Sequence, residues 1–440
     1  MPSIGRREGQ TDYVRGWQME PLGIGVLAAL TPPDVSRVFY DDRLEAIPYE
    51  DATDLVCLSV ETYTARRAYQ ISAAYRCRGA RVVLGGFHPT LVPDEAGRHA
   101  DAIVVGEVEG VWLELLADAR AGHLRKRYQA VERPRLLGIR PDRTVFAGKN
   151  YVGLSLVETS RGCRFGCEFC SISSFFHRSY TTRPVGEVVA EVAALPKKPV
   201  FFVDDNIGAD RERAKALFQA LIPLKIRWAG QVSMDVADDG ELLDLMRKSG
   251  CLMVLMGFES LNPEVLKIMG KSVNRGGELN DQRLQRLRRF GISVYGTFVF
   301  GYDGDTRESF EATLAFTRRH KMFFAAFNHL VPFPGTPLYA RLAAENRLLY
   351  ERWWLDESYR FGQVAFQPDP LTPGELADMC FEYRRKFYAI GSMVQRGWDW
   401  RANCRDIFRA GIFWYGNISS RGEVRQRQAL PLGAAGEPII

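Results

Sequence analysis

The chain has 440 residues, more than one hydrophobic core usually organises, so two or three domains are expected. It is 46% hydrophobic and 25% charged, ordinary for a globular protein, and a net charge of +5 is too small over this length to argue for nucleic acid. No run reaches the roughly 18 apolar residues of a transmembrane segment, and the polar N-terminus lacks a signal-peptide core, so the expected compartment is the cytoplasm.

The first third alternates strand-like and helix-like runs. Strands are expected at VSRVFY (35–40), DLVCLSV (54–60), ARVVLGG (80–86) and DAIVVG (101–106). Helices are expected at 21–31, 65–77 and 109–121. The strands are short, β-branched and almost wholly apolar, as in a parallel sheet covered on both faces. The predicted fold of residues 1–125 is therefore a doubly wound, Rossmann-like α/β domain. Residues 126–150, rich in Arg, Pro and Gly, read as a linker with at most one short strand. A sheet of this kind usually opens on a central apolar strand, yet residues 1–20 are polar or rich in Gly (Gly5, Gly9, Gly16) and Arg. The expectation is that the true start lies upstream of Met1, or that a rearranged sheet closes the gap.

Alternation resumes at LSLVETS (154–160). It continues through PVFFVDD (199–205), IRWAGQVSM (226–234), LMVLMGFES (252–260), SVYGTFVFG (293–301) and AAFNHLVPF (325–333). Six βα units in 151–342 predict a partial (β/α)6 TIM-like barrel, with its chemistry at the C-terminal ends of the strands. Residues 343–440 read as a helical, aromatic extension, with a helix over 372–397 starting near Pro373 and Glu375. The run from Trp398 to Tyr415 interleaves Arg with large aromatics. It suits a membrane-surface segment, a lid over an apolar substrate, or a helix packed on the barrel.

Three of the eight cysteines, Cys163, Cys167 and Cys170, fall within eight residues in ETSRGCRFGCEFCSISSFF (158–176). Cys57, Cys77, Cys251, Cys380 and Cys404 are scattered singly and read as small buried hydrophobes. A structural zinc site needs four ligands, and here no second cysteine pair exists and His177 is the one nearby histidine. Three thiolates on a loop can hold three irons of a [4Fe-4S] cluster and leave the fourth open to a ligand.

CRFGCEFC, preceded by SRG and following an apolar strand, resembles the signature of the radical S-adenosylmethionine superfamily, and the resemblance extends over 151–342. It implies that the open iron takes the amino and carboxylate groups of S-adenosylmethionine, and that a 5′-deoxyadenosyl radical then removes a substrate hydrogen. Phe169 matches an aromatic position near the adenine in that family. Asp204 and Asp205 match a strand end that serves the methionyl amine, although two acids there also suit a turn or a helix cap. Gln231 and Ser233 end the third barrel strand. Glu259 ends the fourth and resembles a position near the ribose or amine. Pro334 and Gly335, in PFPGTPLY, resemble a loop that closes over the cofactor. His329 suits either a proton donor or a satisfied core histidine.

The first domain also resembles a known module. PLGIGVLAAL, GGFHPTLVPDEA and ADAIVVGEVEGVW are similar to the cobalamin-binding domain that precedes many such barrels. The resemblance places Ser59, Glu61, Thr62, Gly85, Gly86, Gly106 and Glu107 along the cobalamin edge. The Asp-x-His-x-x-Gly motif is absent, since Gly86 stands two residues before His88. The combination implies a cobalamin-dependent C-methyltransferase acting on an unactivated carbon of a small-molecule or lipid-like intermediate, with an electron donor such as flavodoxin or ferredoxin. A radical cyclase, dehydrogenase or rearrangement enzyme has the same architecture. A non-catalytic iron–sulfur carrier or sensor is the alternative from another class.

Overall fold

The computed structural model describes residues 1–5, 18–196, 199–271, 274, 277–426 and 428–439. Two parallel sheets carry the chain. The first holds β1 (Leu55–Ser59), β2 (Arg81–Gly85), β3 (Ala102–Val105) and β4 (Arg127–Gln129), side by side in that order. Successive side chains point to opposite faces of a strand, so each strand feeds two cores. Val83, Ala102 and Val104 pack with Leu27, Trp112 and Leu115, under helices Leu22–Leu30 and Trp112–Arg120. Val82, Leu84, Ile103 and Val105 pack with Tyr69 and Ile71 of helix Ala65–Cys77. The result is the expected sheet covered by helices on both faces.

One expectation needs correction. Residues 35–40 form no strand. Val38 is 75% exposed, Arg37 donates to Asp142 at 2.7 Å, and Phe39 packs edge-on against Phe146. The run is held by a later loop rather than by β1. The one short strand allowed for in 126–150 is β4, which pairs with β3 and extends the first sheet. Gly9 and Gly16 lie outside the described residues.

The second sheet opens with β5 (Ser155–Val157). An antiparallel ribbon, β6 (Ser160–Gly162) and β7 (Tyr180–Thr182), brackets the cysteine loop. Then come β8 (Val200–Phe202), β9 (Trp228–Gln231), β10 (Cys251–Glu259), β11 (Ser293–Phe300) and β12 (Phe324–His329). The spatial order is β5-β8-β9-β10-β11-β12, all parallel, which is the expected six-stranded partial barrel. Side-chain caps start its helices. Asp210 accepts from Arg213 N, Asp239 from Leu242 N and Asn262 from Glu264 N, each satisfying a backbone donor the helix cannot.

The C-terminal segment does three jobs. Trp353, Trp354 and Tyr359 are buried in the core of the first sheet, so the extension ties the two halves together. Helix Pro373–Phe387 starts at a Thr372/Glu375 capping box and covers the free edge of β12, where Arg384 donates to Phe327 O (2.8 Å) and Tyr388 to Ala325 O (3.2 Å). Helices Ile390–Gly397 and Ile407–Gln426 close the opposite end of the barrel from the cysteines. Arg396 donates to Met322 O and Phe323 O, just ahead of and at the start of β12, and Arg409 donates to Cys251 O and Leu252 O at the start of β10. The Trp398–Tyr415 run is therefore no lid over a substrate at the strand C-termini. Trp398, Trp400, Ile407, Tyr415 and Ile418 lie exposed on this lower end. No helix among the described residues is long and apolar enough to cross a membrane.

Arg396 is fully buried and stacks 3.7 Å over Phe387, with Ser392, Asn417 and three carbonyls as acceptors. Replacing it by Met leaves buried acceptors unmatched, at a cost of about 3 kcal/mol. Denaturant unfolding of Arg396→Met checks this. A loss below about 1 kcal/mol, the value of one ordinary hydrogen bond, means the clamp does not hold the lower end.

Candidate active site

The three cysteines sit on the loop that follows β5, at the C-terminal mouth of the barrel, and the loop is pinned from several sides. Asp204, at the end of β8, accepts from Thr159 N (3.2 Å), Thr159 Oγ1 (2.8 Å) and Ser160 Oγ. Asp205 accepts from Gly162 N at 2.9 Å, one residue before Cys163. Glu168 N donates to Met269 O (3.2 Å), and Leu338 N donates to Glu168 O (3.0 Å). Burial pushes both aspartates up to about 6, against the pull of their donors. Burial also raises the thiols of Cys163 and Cys167, the latter to about 11. Metal binding needs the thiolate, so these thiols call for a strong cationic centre to deprotonate them. Among the described residues no three His, Cys, Asp or Glu side chains converge on one ion. A multi-iron cluster takes a separate thiolate on each iron, and the donor set fits it.

The strand-end residues divide into two groups. Asp204 has its oxygens filled by protein donors and is 2% exposed, so it positions the loop instead of facing a ligand. Gln231 and Ser233 are half-buried on the rim, Ser233 fixed by Asn206 through both N (3.3 Å) and Oγ (3.1 Å). Glu259 is buried with φ +63° and is ion-paired by Lys271, which also lies close to Cys167. The partner that a buried carboxylate requires is therefore protein, not ligand alone. Phe169 faces a cavity, described below. Pro334 and Gly335 do not line it; Phe333 does. Gly335, at φ +74°, seats the loop against Leu91 of the first domain, where a Cβ would lie 3.1 Å from Leu91 O.

A cleft of about 330 Å3 opens between the first sheet and the cysteine loop. Ser59, Glu61, Gly85, Gly86, Gly106 and Glu107 all line it. Thr62 does not. It is buried, and its Oγ1 lies 3.3 Å from Nδ1 of His88, a histidine enclosed by Tyr69 and Glu95. No histidine lines the cleft. The two adjacent glycines serve different ends. Gly86 has φ +104°, and a Cβ there would come 2.9 Å from Val60 O, so the fold requires glycine. A Cβ at Gly85 meets only Val104 at 3.6 Å, an ordinary contact, so glycine there leaves room for the cleft.

Several lining residues were not anticipated. Phe175 and Phe176 form the barrel wall of the cleft, and Arg161 crosses it to Glu107 (3.1 Å), Glu109 (2.5 Å) and Glu158 (2.8 Å). All but Glu109 and Glu107 lie within ETSRGCRFGCEFCSISSFF, where the cysteines masked them. On the other side of the loop lies an aromatic cavity of about 390 Å3, lined by Tyr63, Phe169, Phe333, Phe361 and Phe381. His329 borders it. Burial holds this imidazole neutral, and Nδ1 meets Leu330 O at 3.0 Å, as a satisfied histidine would.

Comparison with known proteins accords with this geometry. A family model described as the radical SAM superfamily matches residues 157–317. The bacteriochlorophyllide d C-12(1)-methyltransferase of Chlorobaculum tepidum is 31% identical over 87% of this chain and 87% of its own length. The C-8(2)-methyltransferase of the same organism is 27% identical over 82% of this chain and 83% of its own. Among solved structures, the radical S-adenosylmethionine methyltransferase TsrM from Kitasatospora setae, with cobalamin and a [4Fe-4S] cluster bound, superposes with a TM-score of 0.58. That match covers 86% of this chain and 88% of that one, at 17% identity, and so speaks for a shared fold. The chain belongs to the radical SAM superfamily, in the subgroup with an N-terminal domain of the cobalamin-binding type.

Proposed function

We propose that this enzyme is a cobalamin-dependent radical C-methyltransferase acting on an unactivated carbon of a small-molecule or lipid-like biosynthetic intermediate. One observation carries the reading. The cysteine loop and the short helix that follows it, Ser171–Phe175, together wall two chambers: Phe175 and Phe176 face the cleft, and Phe169 faces the aromatic cavity. A loop holding a radical source between a methyl donor and a substrate needs that arrangement.

Cys163, Cys167 and Cys170 hold the [4Fe-4S] cluster. Asp205, Gln231, Ser233, Glu259 and Phe169 surround the S-adenosylmethionine position, with Asp204 fixing the loop and Lys271 neutralising Glu259. Ser59, Glu61, Gly85, Gly86, Gly106 and Glu107 border the cobalamin cleft. When bound, these groups supply the hydrogen-abstracting radical and the methyl donor. The chain itself excludes water through the aromatic walls and fixes the distances. The reducing electron comes from an external donor of the flavodoxin or ferredoxin kind, in a reducing compartment such as the cytoplasm.

Three outcomes follow. Anaerobically reconstituted protein should hold about four irons per chain, and the Cys163, Cys167, Cys170 triple Ala variant should hold none. Iron retained in that variant defeats the reading. Turnover should release both 5′-deoxyadenosine and S-adenosylhomocysteine, because methyl transfer and hydrogen abstraction use the cofactor differently. Deoxyadenosine alone, with cobalamin present, indicates a cyclase, dehydrogenase or rearrangement enzyme. Finally, Gly85→Leu should fill the cleft without strain and weaken cobalamin retention about tenfold, with iron content unchanged. A tenfold loss is about 1.4 kcal/mol, within the range for displacing a ligand from part of its site. Unchanged retention in gel filtration removes Gly85 from the site.

A further inference from the structure

The aromatic cavity is apolar on most of its wall, and Arg384 is the formal cation among its lining residues. Among the described residues no Asp or Glu lines it. Arg384 uses one nitrogen, Nη2, for Phe327 O (2.8 Å) and Asn328 Oδ1 (3.0 Å). Among the described residues, its Nε and Nη1 have no acceptor and it has no carboxylate partner. Three other half-buried arginines on the barrel have one, Arg341 with Glu168, Arg347 with Asp303 and Arg288 with Asp399, while Arg213 and Arg318, away from the cavity wall, use backbone or hydroxyl oxygens. A guanidinium in an apolar wall without a counter-ion favours an anionic ligand.

The rings beside it favour a flat one. Tyr63 meets Phe333 edge-on at 5.9 Å and Phe361 at 5.2 Å, and Phe169 and Phe381 face the same space. Ring faces at several tilts suit a planar apolar body better than a flexible polar chain. Its volume lies within the range of small-molecule sites, about 300 to 1,000 Å3.

We propose that this cavity takes a planar, largely apolar substrate bearing a carboxylate, and that Arg384 receives the carboxylate. The inference deepens the methyltransferase reading and rests on it for the cavity's role as the substrate chamber. No bond is made or broken at Arg384. It is a specificity-determining residue that orients the substrate toward the cysteine loop.

The test uses full-length, cluster-loaded protein and two fluorescent probes, 1-pyrenebutyrate and its methyl ester. The native protein should bind the acid about tenfold more tightly than the ester, as one charge-assisted hydrogen bond predicts. Arg384→Gln should remove that preference by weakening the acid and leaving the ester as it was. Arg384→Lys keeps the charge and should keep part of the preference, which distinguishes lost charge from lost folding. Ala377→Trp, which fills the cavity from helix Pro373–Phe387, should weaken both probes. Equal binding of acid and ester by the native protein overturns the proposal. So does undiminished acid binding in Arg384→Gln or in Ala377→Trp, and so does failure of both probes to bind. Iron content and the two S-adenosylmethionine products, measured on the same preparations, report on the methyltransferase reading separately.

Discussion

The structure depends on holding one eight-residue loop rigid at the mouth of an incomplete barrel. The loop carries three thiols, and a loop left to itself does not keep them at fixed separations. Asp204 and Asp205 supply the constraint. They end β8, reach across to β5 and β6, and accept the donors of Thr159, Ser160 and Gly162 on the approach to Cys163. Burying two adjacent carboxyls is costly, which is why both are pushed up to about 6. The cost is met by backbone and hydroxyl donors that no solvent could orient as well. Beyond Cys167, Glu168 is gripped from both sides by Met269 and Leu338.

The barrel's two ends are thereby given opposite chemistry. Carboxylates organise the upper end, where strand C-termini and the cysteines meet. Arginines organise the lower end, where Arg396 and Arg409 collect the carbonyls at and just before the starts of β10 and β12, and Arg227 stacks 3.9 Å from Phe408. An incomplete barrel leaves the lower carbonyls of its strands short of partners, and a long side chain with several donors covers them from a distance. The Arg-rich, aromatic composition after residue 396 follows from this need in part. Its exposed tryptophans do not.

Much of this was legible in local sequence, for identifiable reasons. β-branched apolar runs such as ARVVLGG and SVYGTFVFG specify buried parallel strands because alternation is unnecessary when both faces are covered. The cysteine spacing marked the loop at the barrel mouth, and residues at strand ends, three of them glycines, marked six positions that line the cleft. VSRVFY misled because an apolar, β-branched run looks the same whether it pairs with β1 or packs through Phe39 on a distant loop. The β6–β7 ribbon escaped notice because SRG and YTT are three residues each and carry no pattern. Thr62 and Glu259 were assigned to ligands before their partners were known. His88 and Lys271 lie 26 and 12 residues away, and no local rule joins them. Nothing local in the sequence distinguishes Arg384 from a solvated helix arginine, because its neighbours on β12 lie 56 and 57 residues away.

The C-terminal segment explains how two chambers stay aligned across a single loop. Separate domains joined by a linker ordinarily move relative to each other. Here Trp353 and Trp354 are buried in the core of the first sheet, and Trp354 Nε1 donates to Glu95 at 2.9 Å. Glu95 in turn meets His88 at 3.2 Å, and His88 meets Thr62 at 3.3 Å. Thr62 adjoins Tyr63, which lines the aromatic cavity. A polar chain therefore runs from the extension to Thr62 of the first domain, next in sequence to a residue in the wall of the aromatic cavity. Each member is buried, so breaking any link strands a polar group without water to replace its partner. The cleft and the cavity are thus fixed to each other by the same network that removes His88 from the cleft. Both ring nitrogens of His88 are engaged inside this network, by Thr62 on one side and by Tyr69 and Glu95 on the other.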